Sequence, residues 1–211
     1  NREVEAVKDL EVITGTFNAE YGNAMSGIVN AVTKDGNNDF HGSFNSGFST
    51  YITENSRNGE RVFIGLDPFG INSNSDIKFS LSGPVIKDRL YFFTNFRTQD
   101  IRGHLNGIRR FEAWNLSNFY DQDSSRWFSE NTGDSSYIPM NKGHYSSFMG
   151  KLSYNLGNIK LALMLNQNNS ISRGYSHIYK YNPAGRSYGD GKTTLTMLQL
   201  NHFLNEKMFY D

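Results

Sequence analysis

Hydrophobic and polar residues alternate along most of this chain, and the alternation comes in separate runs. In 42–51, Phe44 and Phe48 are interleaved with Ser43, Asn45, Gly47 and Ser49. In 76–82, Ile77, Phe79 and Leu81 alternate with Lys78, Ser80 and Ser82. In 89–99, Leu90, Phe92, Thr94 and Phe96 share one face, and the other face ends in Asn95, Arg97 and Gln99. The run 146–156 sets Phe148, Leu152, Tyr154 and Leu156 against Ser147, Lys151, Ser153 and Asn155. The run 158–168 sets Ile159, Leu161, Leu163 and Leu165 against Lys160, Ala162, Met164 and Asn166. A sixth run, 193–204, carries Leu198, Leu200 and Leu204 opposite Gln199 and Asn201, and a seventh begins at Lys207. Period-two patterning predicts half-buried β-strands. Runs of about 7–12 residues are close to what a tilted strand needs to cross a bilayer.

The connections separate two architectures that the alternation leaves open. Pro84–Asp88, Gly157-Asn158 and Asn205-Glu206 are short, whereas 52–75, 100–145 and 169–192 are long and polar. Short and long alternate strictly, which predicts a transmembrane barrel with tight turns at the periplasmic end and long loops outside the cell. Tyr91, Tyr145, Tyr154, Phe203, Phe209 and Tyr210 stand near strand ends as candidates for interfacial girdles. Single-chain bacterial barrels have even strand counts. An open edge in lipid costs several kcal/mol per unpaired backbone group. Seven strands therefore imply more strands, and the sequence is expected to be a segment of a larger chain.

Composition narrows the function classes. Hydrophobic residues make up 37% of the 211, aromatics reach 14% and glycines number 20, a mixture that favours β-structure over a helical core. Lys+Arg equals Asp+Glu, so the charge balance gives no support to a nucleic-acid partner. Cysteine is absent, which removes disulfides and thiolate sites. No apolar run is long enough for a transmembrane helix.

The first 33 residues have a different texture. Val4–Ile13 reads as a short helix or turn leading into a strand, and a stretch rich in small residues follows. Gly22, Ser26 and Gly27 suit close backbone approach, Ile28-Val29 and Ala31-Val32 suit a buried strand, and Asp35-Gly36-Asn37-Asn38 is a turn cluster. Ala19-Glu20-Tyr21-Gly22, then Ser26-Gly27-Ile28-Val29-Asn30-Ala31-Val32-Thr33-Lys34 and Asp35-Gly36, resembles the motif that closes the plug of the TonB-dependent outer-membrane receptors. Phe40-His41-Gly42-Ser43 resembles their first barrel strand. Ser82-Gly83-Pro84-Val85-Ile86-Lys87-Asp88-Arg89-Leu90-Tyr91-Phe92-Phe93 resembles the second periplasmic hairpin of the subgroup with a carboxypeptidase-regulatory-like N-terminal domain. The three motifs fall in order within about the first hundred residues; beyond them the likeness is one of texture.

The resemblance implies an all-β fold: a transmembrane antiparallel barrel of about 22 strands when complete, around a lumenal plug. Residues 1–37 are then the end of the plug, and 38–211 are about the first seven strands of the wall. It also implies ligand-gated uptake of a nutrient such as a siderophore, oligosaccharide or peptide, energised by the TonB complex through a segment upstream of Asn1. The implied partners are outer-membrane lipid, an external ligand and a surface lipoprotein or other envelope protein. The alternative is a plugged barrel acting as a structural or secretion-associated component of an envelope assembly. A third reading is a soluble β-sandwich binding module.

No catalytic, cofactor or metal site is expected. His41, His104, His144, His177 and His202 show no metal-ligand spacing. Asp121, Asp123 and Glu130 lack the offsets of a calcium loop. Gly189–Thr194 lacks the first glycine of a phosphate loop and leads into a strand. Arg109, Arg110, Arg126 and Trp127, in the longest loop, are the candidate ligand-binding residues, since loops commonly carry binding function.

Overall fold

The computed structural model describes residues 7–13, 28–53, 56–58, 60–66, 74–205 and 208–210. The Ala19–Gly27 part of the plug-like motif lies outside them. Two strands open the described chain, β1 (Val7–Ile13) and β2 (Ile28–Thr33), paired antiparallel with Ile13 opposite Ile28. Val7–Ile13 is thus strand throughout, where the sequence left a helix or turn open. Its Val, Leu and Ile fit an extended backbone once β2 supplies the hydrogen-bond partner.

Seven further strands form one antiparallel sheet in chain order. They are β3 (His41–Ser49), β4 (Asn74–Ile86), β5 (Leu90–Ile101), β6 (Lys142–Leu156), β7 (Ile159–Arg173), β8 (Gly189–Asn205) and β9 (Met208–Tyr210). All seven alternating runs are therefore strands, and each neighbours the next. The order makes the short connections, 87–89, 157–158 and that between Asn205 and Met208, lie at one end, and the long ones at the other. This is a partial antiparallel barrel wall. Its strands outrun the alternating patches: β6 and β7 have 15 residues each and β8 has 17. The extra length lies towards the long loops, where the patches turn polar on both faces and periodicity loses its signal.

Turn chemistry explains the tight end. Asp88 and Gly157 take the left-handed conformation, with φ of 64° and 60°, so each strand can reverse within a few residues. Pro84, which has no N–H for the ladder, sits where the β4–β5 register slips between Pro84 and Ile86.

At the other end the long loops pack on one another. Ile108 N donates to Lys180 O at 2.7 Å, Phe111 N to Tyr181 O at 2.9 Å, and Met140 is fully buried. Arg173, at the end of β7, is 6% exposed and donates to the carbonyls of Pro183, Arg186 and Pro139 at 2.6, 3.3 and 3.3 Å. One planar guanidinium thereby ties the 102–141 and 174–188 loops together. Among the described residues no helix is long and apolar enough to cross a membrane.

Candidate functional site: the two faces of the sheet

Register assigns every wall side chain to a face, because residues directly opposite across an antiparallel pair point the same way. Phe44 pairs with Phe79, Phe79 with Phe96, and Phe96 with Phe148. Four phenylalanines thus form one row across four strands, and all four are exposed. Nearer the short turns, the row Phe92–Leu152–Leu163–Leu198 continues the same face, followed by Leu90–Tyr154–Leu161–Leu200. Beyond the phenylalanines, towards the long loops, that face becomes Ile77, Thr98, Ser146, Asn169 and Lys192. From Leu156 to Phe148 the apolar band spans about 26 Å of extended chain, about 20 Å of height at the usual strand tilt, near the band of about 25 Å that outer-membrane barrels present to lipid. Leu163 is 46% exposed and Leu198 is 73% exposed, so these side chains have no protein core to enter.

Three of the expected girdle residues are on the other side. Tyr91 pairs with Ser153, Tyr145 with Gln99 and Ser170, and Phe203 shares the side of Asn201, which pairs with Lys160, on the polar face. Position near a strand end gave their depth, but the parity of the period decides the face. Tyr154 keeps its outward place, and the phenylalanine row supplies the upper aromatic ring.

The polar face is where buried groups collect. Phe93, Asn95, Ser153, Ala162 and Met164 are all buried there. The residues that follow β2 run onto this face. Lys151 Nζ lies 2.7 Å from Asp35 Oδ1 and donates to Thr33 Oγ1 at 3.0 Å. Lys160 Nζ donates to Asp35 Oδ2 at 2.8 Å, and Ser153 Oγ donates to Asp35 Oδ1 at 3.0 Å. Burial raises the Asp35 carboxyl and is the largest single influence. Hydrogen bonds from Lys151 and Lys160, joined by their charge, together outweigh it and hold the group below its ordinary value.

Past Asp35 the chain squeezes by the wall. A Cβ on Gly36 would meet the Phe92 carbonyl oxygen and, at 3.0 Å, the Gly83 carbonyl oxygen and Tyr91 Cβ. Asn38 then fastens the chain to the first tight turn: Asp88 N and Tyr91 Oη donate to its Oδ1 at 2.9 and 3.1 Å. Phe40 lies over Gly83 and 6.3 Å from Phe92. Gly36 from the first motif, Phe40 from the second and Gly83, Asp88, Tyr91 and Phe92 from the third therefore meet in one contact region.

Higher on the polar face, towards the long loops, is a concavity of about 560 Å³. Two register rows floor it, Gln99–Tyr145–Ser170–Gly191 and Arg97–Ser147–Asn168–Thr193. Arg97 donates to both oxygens of Asp76 on the neighbouring strand, at 2.8 and 2.9 Å.

The four loop candidates do not converge on it. Arg109 pairs with Asp134 at 3.1 Å and reaches Glu112 at 4.0 Å, and Arg110 lies over the Tyr181 ring at 5.5 Å. Arg126 stands 3.8 Å from both Asp121 and Asp123, and Trp127 Nε1 donates to Asp121 O at 2.9 Å. Arg109, Arg126 and Trp127 have partners inside their own loop and Arg110 on the neighbouring one, in two separate places. The concavity residues were missed because small polar side chains on a strand look like any solvated face; the cue was their persistence on the face opposite the phenylalanines. No group of three or more His, Cys, Asp or Glu able to hold a metal occurs among the described residues.

A two-faced antiparallel wall, with a preceding strand pair whose tail is pinned to its polar side, is the arrangement a plugged barrel requires. The chain is 35% identical over 97 residues to the TonB-dependent transporter Oar of Myxococcus xanthus. The likeness is to TonB-dependent receptors. A second relative, the probable TonB-dependent siderophore receptor PirA of Acinetobacter baumannii, is 36% identical over 89 residues. The matches cover 44% and 42% of this chain, and 9% and 10% of the two relatives' lengths. No family model matches the segment, and no solved structure does.

Proposed function

We propose that this chain is part of an outer-membrane receptor that takes up an external ligand with energy from the TonB complex. Residues 1–37 would end the plug, and 38–211 would begin a wall that further strands close. One observation carries the reading: the sheet turns phenylalanine and leucine rows outward, while its other face receives Asp35 between Lys151 and Lys160. A wall bathed in lipid outside and filled by its own chain inside needs that division. Oar and PirA, which bear TonB-dependent names, support the energy source. The test is to express the full-length protein, follow it by membrane fractionation and measure solute uptake with and without TonB. Recovery in the outer membrane with TonB-dependent accumulation is expected; a soluble fraction or TonB-independent flux defeats the reading.

A second reading, a plugged barrel that serves an envelope assembly, draws on the tip of the longest loop. Trp114 is 71% exposed and Tyr120 is 97% exposed there, the residue types that anchor protein contacts. Stoichiometric co-purification of one envelope protein, lost on Trp114→Ala and Tyr120→Ala, would favour it.

A further inference from the structure

We propose that the concavity over β5–β8 is a binding site for an uncharged, polyhydroxylated ligand, an oligosaccharide. The inference rests on the uptake reading and names the ligand class of that receptor.

The lining chemistry selects the class. Amides come from Gln99 and Asn168 and hydroxyls from Ser147, Ser170 and Thr193. Each group both donates and accepts, as a sugar hydroxyl does; Asn168 Nδ2 and Ser170 Oγ make only long bonds within the wall, at 3.3 and 3.5 Å, which a sugar hydroxyl can replace or share. Tyr145, 40% exposed at the same level, offers an aromatic face to the C–H side of a sugar ring. Among the described lining residues Arg97 alone carries charge, and both prongs of its fork are engaged by Asp76. An anionic ligand would give up its hydration here without gaining an available counter-charge, which is a net cost. The site therefore selects against carboxylate, phosphate and sulfate by the neutrality of its floor.

The volume suits the proposal. About 560 Å³ falls within the range of small-ligand pockets and admits two to three sugar rings. The place suits it as well. The row of Ser147 lies four residues along β6 from Lys151, so the concavity is about 13 Å above the Asp35 junction and nearer the long loops. A ligand arriving through the loops would meet it before the residues that tie the preceding chain to the wall.

The test uses the full-length receptor, purified in detergent, on a glycan array of neutral oligosaccharides beside sialylated, sulfated and phosphorylated ones. Retention of neutral glycans is expected, and the best of them is then titrated in solution. Gln99→Ala and Asn168→Ala should each weaken that binding about tenfold, and Tyr145→Ala at least as much, while Tyr145→Phe keeps it. Thermal midpoints of the same preparations separate lost binding from lost folding; Asn168→Ser is the milder variant if Asn168→Ala does not fold. Retention of no neutral glycan, preference for the anionic ones, or unchanged affinity in all three alanine variants overturns the proposal. Binding in detergent needs no energy source. Glycan binding without TonB-dependent accumulation sinks the uptake reading alone, and accumulation of another solute without glycan binding sinks this one alone.

Discussion

Lys151 Nζ lies 2.7 Å from Asp35 Oδ1, joining the chain that leaves β2 to the β6–β7 hairpin of the wall. Lys151 is only 9% exposed, so this pair is shielded from the screening that weakens surface ion pairs. Asp35→Asn removes the charge that two lysines share and leaves Lys151 enclosed without a counter-ion. The expected loss is about 1–3 kcal/mol of stability, read as a lower unfolding midpoint in detergent.

The same pair sets a pH dependence with a definite sign. Asp35 titrates below its ordinary value of 3.8 because the lysines outweigh its burial. Its contribution is therefore complete above that value and disappears as pH falls through the lower, folded one. The stability gap between wild type and Asp35→Asn should stay constant from neutral pH down to about pH 4 and close below it. Paired unfolding curves at pH 7 and pH 3 check this, and a gap that widens on acidification contradicts it.

Gly36 and Asn38 make a steric and a polar prediction side by side. Gly36→Ala pushes a methyl against the Phe92 carbonyl, part of a ladder that cannot yield. The expected result is a loss of about 1–3 kcal/mol and a smaller fraction of assembled protein. Asn38→Ala strips the partner from Asp88 N–H and should cost about 1 kcal/mol, whereas Asn38→Asp keeps that acceptor but replaces the donor to the Asp88 carboxylate with a like charge and should cost at least as much. Thermal unfolding of the three variants orders them.

Depth should govern the cost of charge on the outward face. Leu163→Arg, within the apolar band, is expected to cost about 2–4 kcal/mol in a bilayer, and Phe79→Arg, in the row at its upper limit, about 0–1 kcal/mol. Ser147→Arg, on the polar face, should leave folding intact. Refolding equilibria in lipid vesicles measure all three; equal penalties at Leu163 and Ser147 would remove the lipid-facing assignment.

Much of the wall was legible because period-two alternation writes a half-buried strand directly into the sequence. Phe79, Phe96 and Phe148 mark their face in each run, and Gly157-Asn158 marks a reversal. What stayed hidden was non-local. Nothing at Asp35 announces Lys151 and Lys160, more than a hundred residues later. The inward placement of Tyr91 and Tyr145 follows only once pairing fixes the parity. The concavity is less legible still: Gln99, Ser147 and Asn168 come together through the register of three strands, and their spacing along the chain is silent about it. Arg109, Arg110, Arg126 and Trp127 stood out because charged and aromatic loop residues are conspicuous, yet conspicuousness does not bring side chains together.

Arg173 carries a loop prediction. Its guanidinium serves three carbonyls from two loops, a geometry that a lysine ammonium cannot reproduce. Arg173→Lys should leave the strands protected and make 102–141 and 174–188 cleavable by trypsin at lower enzyme concentrations. Cleavage confined to the strands instead would show that the loops are held by other contacts.

Asp35 and Asn38 clamp the chain on either side of Gly36, one to the inward surface and one to the first tight turn. Tension applied ahead of β2 is accordingly delivered to the wall at this anchorage, so the rivet, before the sheet, is the point that bears a pull on the preceding strand pair.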